Sequence, residues 1–346
     1  MAAPALAGAR QAVGRSLRRA GRRTNVAVLL LLVGALVSGP LLFAAAAPGA
    51  ALAARTGHGL TGVGLVVLVP WKTSVVLRAR RVHLASLVLV GLVLVCLVSG
   101  VVQVFGGYGR FLGVSPIQVH VGSALGMVVL AAVHVVRHRP VVVRRSDLSR
   151  RRLLTTGAFA VATGAAYGAA ELTGRVTGSA AASRTATGSH PLAAAEIPAT
   201  TWLFDRVPDL DPAAHRVRVG AASLGVADLD ALAGPVRARL DCTSGWYADA
   251  TWTGVALRHL LDPVALASAA SIEVRSVTGY RRHFPVADAD RLWLATRLEG
   301  RPLSSGQGAP VRLVAQGRRG FWWVKWVGSV QPSDRPSPLQ PPFPLQ

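Results

Sequence analysis

Four histidines and one cysteine are the residues whose types and spacing point to chemistry in this chain. His58, His83, His120 and His134 lie near the ends of strongly apolar runs, and His120 and His134 share one run, fourteen residues apart. At about 100° per residue that spacing is close to four helical turns, so both rings leave one helix face about 21 Å apart along the axis. Ionisable groups within a bilayer are costly and read as functional by default. Neutral imidazole is also a standard axial ligand to haem iron. One imidazole near each membrane surface therefore suits two stacked haems. Taken singly, each histidine is equally well a helix-end residue bonded to water or to a backbone carbonyl.

The elements that must position these rings are plain in the hydropathy. Apolar stretches run over about Val26–Ala47, His58–Leu77, His83–Phe105, Pro116–Val136 and Leu153–Leu172. Each is near the ~20 residues that cross a hydrocarbon core. The formal net charge of +22 does not call for nucleic acid, because the arginines sit at alternate loops. Arg10, Arg15, Arg18, Arg19, Arg22 and Arg23 precede the first run, and Arg78, Arg80 and Arg81 separate the second from the third. Seven more, from Arg137 to Arg152, separate the fourth from the fifth, while the other two loops carry only Arg55 and Arg110. By the positive-inside rule the N-terminus is cytoplasmic, and five crossings carry everything beyond about residue 173 to the outer side. The expected location is the plasma membrane of a bacterium, multi-pass and in contact with lipid. The histidines then pair by depth, His58 with His120 on the outer side and His83 with His134 on the inner side.

Arg150-Arg151-Arg152-Leu153-Leu154 ahead of the fifth run resembles a twin-arginine export signal set mid-chain; the plainer reading is a cytoplasmic helix flank. Residues 173–201, rich in Ala, Ser, Thr and Gly without period, read as a flexible linker. Residues 332–346 read as a Pro-rich tail, disordered or lying along a surface. The divisions expected are a basic N-terminus at 1–25, a four-helix domain at 26–140, a basic loop with the fifth helix at 141–172, the linker, a globular domain at 202–331, and the tail.

The chain has two cysteines. Cys96 lies in the third run and reads as an apolar packing residue. Cys242 lies in the globular part, in Leu240-Asp241-Cys242-Thr243-Ser244-Gly245-Trp246, where a strand entering a Gly-bearing turn can present a thiolate to a soft metal. Downstream come Thr278-Gly279-Tyr280-Arg281-Arg282-His283-Phe284-Pro285 and Gly308-Ala309-Pro310-Val311-Arg312, then Gly317-Arg318-Arg319-Gly320-Phe321-Trp322-Trp323-Val324-Lys325-Trp326. Alone, Tyr280 is an ordinary half-buried tyrosine, and Phe321–Trp326 reads as a core strand with a snorkelling lysine.

Together, in this order, these blocks resemble the oxidoreductase molybdopterin-binding domain of the sulfite oxidase family, which includes periplasmic methionine-sulfoxide reductase subunits. The resemblance implies an α+β domain following the all-α bundle of five helices, with Mo-molybdopterin as cofactor. It implies Cys242 as the molybdenum ligand and Tyr280 reaching into the metal pocket, with Arg281 or Arg282 attracting an anionic substrate. Arg312 and Lys325, helped by backbone N–H groups of the Gly317–Gly320 turn, would hold the pterin phosphate. Two departures stand out: Gln307 occupies a place where the family often has histidine, and no arginine-rich stretch follows Cys242. Thr243-Ser244-Gly245-Trp246 there is closer to the bacterial reductase-like branch.

The helical part, over about 25–140, resembles four-helix b-type cytochromes of the cytochrome b561 and ferric-reductase-like kind. The likeness rests on Gly57-His58-Gly59-Leu60-Thr61-Gly62, Val82-His83-Leu84, Val119-His120-Val121-Gly122 and Val133-His134-Val135. It implies two b haems, with Gly59, Gly62, Gly122 and Ser123 letting a flat macrocycle approach. The expected function is a molybdenum oxidoreductase fed by the quinone pool or another membrane donor, reducing a small outer-side S-oxide or N-oxide. The alternatives are oxidation of an outer-side substrate with electrons passed inward, or a cytochrome whose tail only binds a partner.

Overall fold

The computed structural model describes residues 22–77, 84–138, 150–200, 206–341 and 343. The chain divides into two compact units that meet at Gly188/Ser189, with Ala44–Ala47 grouped with the second.

The first unit is helical: α1 (Arg22–Ala44), α2 (Pro48–Leu77), α3 (Leu84–Gly106), α4 (Pro116–His138) and α5 (Arg150–Val176). All five are long and apolar enough to cross a membrane. α2 and α4 each begin on a proline, whose fixed φ and missing N–H suit a first turn. Val28, Leu65, Val69, Val93 and Met127 from the first four helices form a shared core. The outward faces carry exposed leucines and valines, as expected where lipid replaces water.

The second unit is α+β. A six-stranded sheet is built on β4 (Gly234–Cys242), β5 (Trp246–Ala256), β8 (Leu292–Leu298) and β10 (Arg312–Ala315), edged by β1 (His190–Pro191) and β9 (Arg301–Pro302). A five-stranded sheet runs β3 (Ala222–Gly225), β2 (Arg216–Val219), β11 (Val327–Ser333), β6 (Ser271–Ser276), β7 (Arg281–Phe284). Two short helices, α6 (Val226–Leu232) and α7 (Pro263–Ser268), fill the connections. β4 alternates between buried and less buried positions, as a strand with one covered face must. Trp252, Leu294, Leu313 and Val330 are among the fully buried side chains.

Two expectations change here. Residues 189–200 are not linker but part of the second unit. Backbone N–H groups of His190 and Leu192 donate to Gly245 and Tyr247 at 3.0 and 2.8 Å, which adds β1 to the edge of β5. Phe321–Trp326 is not a strand: Gly320–Trp322 is a 3-10 turn, and Trp326 has φ +51°. Of the two readings of the Pro-rich stretch, the ordered one holds as far as Pro341.

Candidate functional site

A cavity in the second unit gathers Cys242, Tyr280, Gln307, Arg312, Gly320 and Lys325 on its wall. Cys242 ends β4 and pairs with Trp246 across a three-residue turn whose Gly245 has φ +94°, the left-handed position such a loop requires. The cysteine is 8% exposed, with Sγ 3.1 Å from the Ser244 hydroxyl. Gly320 lies directly against it: a Cβ there would sit 3.0 Å from the Cys242 Cα. Asp241 holds that approach by pairing with Arg319 and accepting from the Ser189 hydroxyl at 2.6 Å.

Arg312 enters from β10, almost wholly buried, with its guanidinium 4.9 Å from the Trp252 ring and 5.5 Å from the Trp323 ring. One of its terminal N–H groups donates to the Gln307 carbonyl at 2.9 Å, while Nε is buried with no partner among the described residues. Burial holds its pKa down at about 10, against the pull of the Cys242 sulfur. Lys325 Nζ donates to the carbonyls of Thr200 and Gly306 at 2.7 and 2.6 Å. Gly308, at φ +106°, sits between these two cations: a Cβ would meet Lys325 at 3.0 Å and Arg312 at 3.1 Å. Among the described residues no carboxylate lines the cavity. Two cations, one with an unused buried donor, and a thiol form the donor set that an anionic phosphate and a soft metal require.

Tyr280 follows the Thr278-Gly279 turn between β6 and β7. Its hydroxyl donates to the Phe321 carbonyl and accepts from Arg282 Nε at 2.7 Å. Arg281 and Arg282 are not in the cavity wall. Arg282 is fully buried behind Tyr280, and Arg281 is half-buried opposite Arg275 of β6. Gly317 is also outside the wall and serves a turn, at φ +72°. The Gln307 side chain accepts from the Ser304 N–H at 3.0 Å, capping its own turn.

Residues 205–340 match the model of the oxidoreductase molybdopterin binding domain. The globular tail is a molybdopterin-binding oxidoreductase domain. No curated protein matches the chain. Among solved structures it is similar to the sulfane dehydrogenase SoxCD from Paracoccus pantotrophus, at 21% identity and a TM-score of 0.34. That match covers 37% of this chain and 40% of the other, so the chain spans less than half the length of the structure it matches. The wall residues that sequence reasoning missed are Ser276 and, in the stretch read as linker and ahead of the matched residues, Ile197, Pro198 and Thr200. The one local signal in that stretch was an isoleucine ahead of a proline in an otherwise small-residue run.

In the helical unit, His58 of α2 and His120 of α4 face each other, ring centroids 5.8 Å apart and planes at 84°. His120 Nδ1 donates to the Cys96 carbonyl at 2.8 Å. A carbonyl only accepts, so the proton is on Nδ1. His58 Nδ1 lies 3.0 Å from the Ser38 hydroxyl, whose own proton goes to the Gly34 carbonyl at 2.7 Å. Nδ1 of each ring is thus engaged, by the Ser38 hydroxyl in His58 and by the Cys96 carbonyl in His120. Gly39 and Gly100 admit the rings: a Cβ would meet His58 at 3.4 Å and His120 at 3.0 Å. His134 is half-buried on α4, whereas His83 lies outside the described residues. Gly62 and Gly122 have open space beside them, but the space beside Gly59 is taken by the Tyr167 ring. Ser123 bonds back to the Val119 carbonyl.

Proposed function

We propose that the chain is a membrane-bound molybdenum oxidoreductase that reduces an S-oxide or N-oxide on the outer side, with electrons arriving through two b haems. The observation that carries the enzymatic half is the convergence of Cys242, Arg312 and Lys325 on one cavity with no carboxylate among its described lining residues. Cys242 would ligate molybdenum as thiolate, and Arg312 and Lys325 would hold the pterin phosphate. The bound cofactor supplies two-electron oxygen-atom transfer. The residues bind and orient: Trp252 and Trp323 fix the Arg312 plane, Gly320 lets the turn close on Cys242, and Tyr280 holds a fixed hydroxyl at the wall. Overall, a sulfoxide takes two electrons and two protons and leaves as a sulfide and water.

The wire is supported by the facing rings of His58 and His120, whose Nδ1 atoms are engaged by Ser38 and Cys96 and whose Nε2 atoms would ligate iron. His83 and His134 would serve the second haem, with quinol or another membrane donor as the electron source. Haem reoxidation tests the whole reading. Dithionite-reduced protein should show a b-type band that decays on adding an S-oxide or N-oxide, and the decay should vanish in Cys242→Ser. A protein without a b-type band loses the wire; a band that none of these substrates reoxidises loses the reductive direction. Molybdenum absent from haem-loaded protein would leave a cytochrome whose tail binds a partner.

A further inference from the structure

We propose that Arg335–Pro341 is a strap that sets the position of Tyr280 through Arg282, making Arg282 a positioning residue. The proposal rests on the reductive reading above for its kinetic arm only.

Arg282 is a cation in the wrong place for a surface strand. It is 0% exposed, no carboxylate pairs with it among the described residues, and its guanidinium lies 5.2 Å from each of the Tyr280, Phe321 and Trp322 rings. A buried charge is tolerated only where its donors have fixed partners. Two of its three nitrogens do. Nε donates to the Tyr280 hydroxyl at 2.7 Å and Nη1 to the Pro341 carbonyl at 2.8 Å. Donation from a cation makes the bond to the phenol oxygen shorter and stronger than a neutral one. With its own proton on the Phe321 carbonyl, the phenol is fixed from both sides.

The strap is built to stay. β7 is the edge of the five-stranded sheet, and an edge leaves unpaired backbone groups. The Gln340 amide satisfies them as a strand would, accepting from the His283 N–H at 3.0 Å and donating to the His283 carbonyl at 2.6 Å. Farther back, the Ser271 hydroxyl donates to the Arg335 carbonyl at 2.6 Å, and Arg335 Nε donates to the Leu339 carbonyl at 2.8 Å. A continuous set of bonds thus runs from the strap through Arg282 to a tyrosine in the cavity wall.

The test uses the full chain labelled with 3-fluorotyrosine. Four tyrosines give four fluorine signals, and Tyr280→Phe identifies the one that matters. Removing residues 336–346, which leaves β11 whole, should shift or broaden the Tyr280 signal and leave that of Tyr247 in place. Gln340→Ala should do so partially, and it serves if the truncated chain does not fold. In turnover with a reduced dye and an S-oxide, both changes should lower kcat, by about tenfold to a hundredfold for the truncation, with KM changed less than about twofold. In a Tyr280→Phe background they should cost nothing further, because the effect passes through the phenol. An unmoved Tyr280 signal, or losses that simply multiply with Tyr280→Phe, would overturn the proposal. If the wild type reduces no S-oxide or N-oxide, the functional reading fails while the fluorine spectra still decide the strap.

Discussion

At the cavity, Gly320 packs tightly on the cysteine, since a Cβ there would lie 3.0 Å from the Cys242 Cα and would press the backbone back by a few tenths of an ångström. Arg312 is held just as tightly, its guanidinium buried against the Trp252 and Trp323 rings. His283 on β7 is a different case, because its environment disfavours charge. Burial lowers its pKa from 6.5, against the Glu273 carboxylate, which raises it; Arg335, Arg281 and Arg275 add to the lowering. The unfolded chain therefore binds more protons than the folded one below about pH 6.5, so stability is full above that pH and falls with acidification. Seven of the eight tryptophans lie beyond residue 200, so their fluorescence follows this unit. The unfolding midpoint should drop by a few degrees between about pH 7.5 and 5.5, and His283→Gln should flatten that slope. An unchanged slope in His283→Gln would assign the pH dependence to other groups.

At the scale of elements, the segment Ile197–Thr200 behaves as part of the wall. Lys325 holds the Thr200 carbonyl, and Ala199 sits where a side chain on residue 306 would be: a Cβ there would lie 2.2 Å from the Ala199 Cβ. Gly306→Val must therefore lift the segment. Ile197 is 7% exposed, so an Ile197→Cys thiol should react slowly with maleimide and at least about tenfold faster once Gly306→Val is added. Equal rates would show that the wall yields elsewhere. The five helices and the turn that presents Cys242 to the cavity were legible because length, hydropathy and local turn chemistry specify them. The wall segment and the strap were not, because their order comes from distant partners: the edge of β5 for His190 and Leu192, and His283 of β7 for Gln340. The run Phe321–Trp326 reads as a strand by its apolar content. It folds as a turn because Gly320 must close on Cys242 and Trp326 adopts φ +51°. Arg282 shows the same limit, since sequence gives its charge but not its burial against Tyr280.

For the whole molecule, the proposed outer-side location would require the molybdopterin-binding domain to cross the membrane after four hydrophobic helices. We propose that Arg150-Arg151-Arg152 does two separable jobs. Positive charge at the start of α5 keeps that end cytoplasmic, and any cation suffices for this. A twin-arginine signal is instead read as an address by a receptor, which distinguishes arginine from lysine. Changing Arg150, Arg151 and Arg152 together to lysine preserves the charge and removes the address. If the domain crosses after folding around its cofactor, the triple lysine variant should insert its first four helices normally and leave the tail inside. In right-side-out spheroplasts, protease should then cleave the wild-type tail and spare the variant's. Tails equally accessible in both would reduce these arginines to a charged flank, and equally protected tails would reverse the topology that the loop arginines indicate.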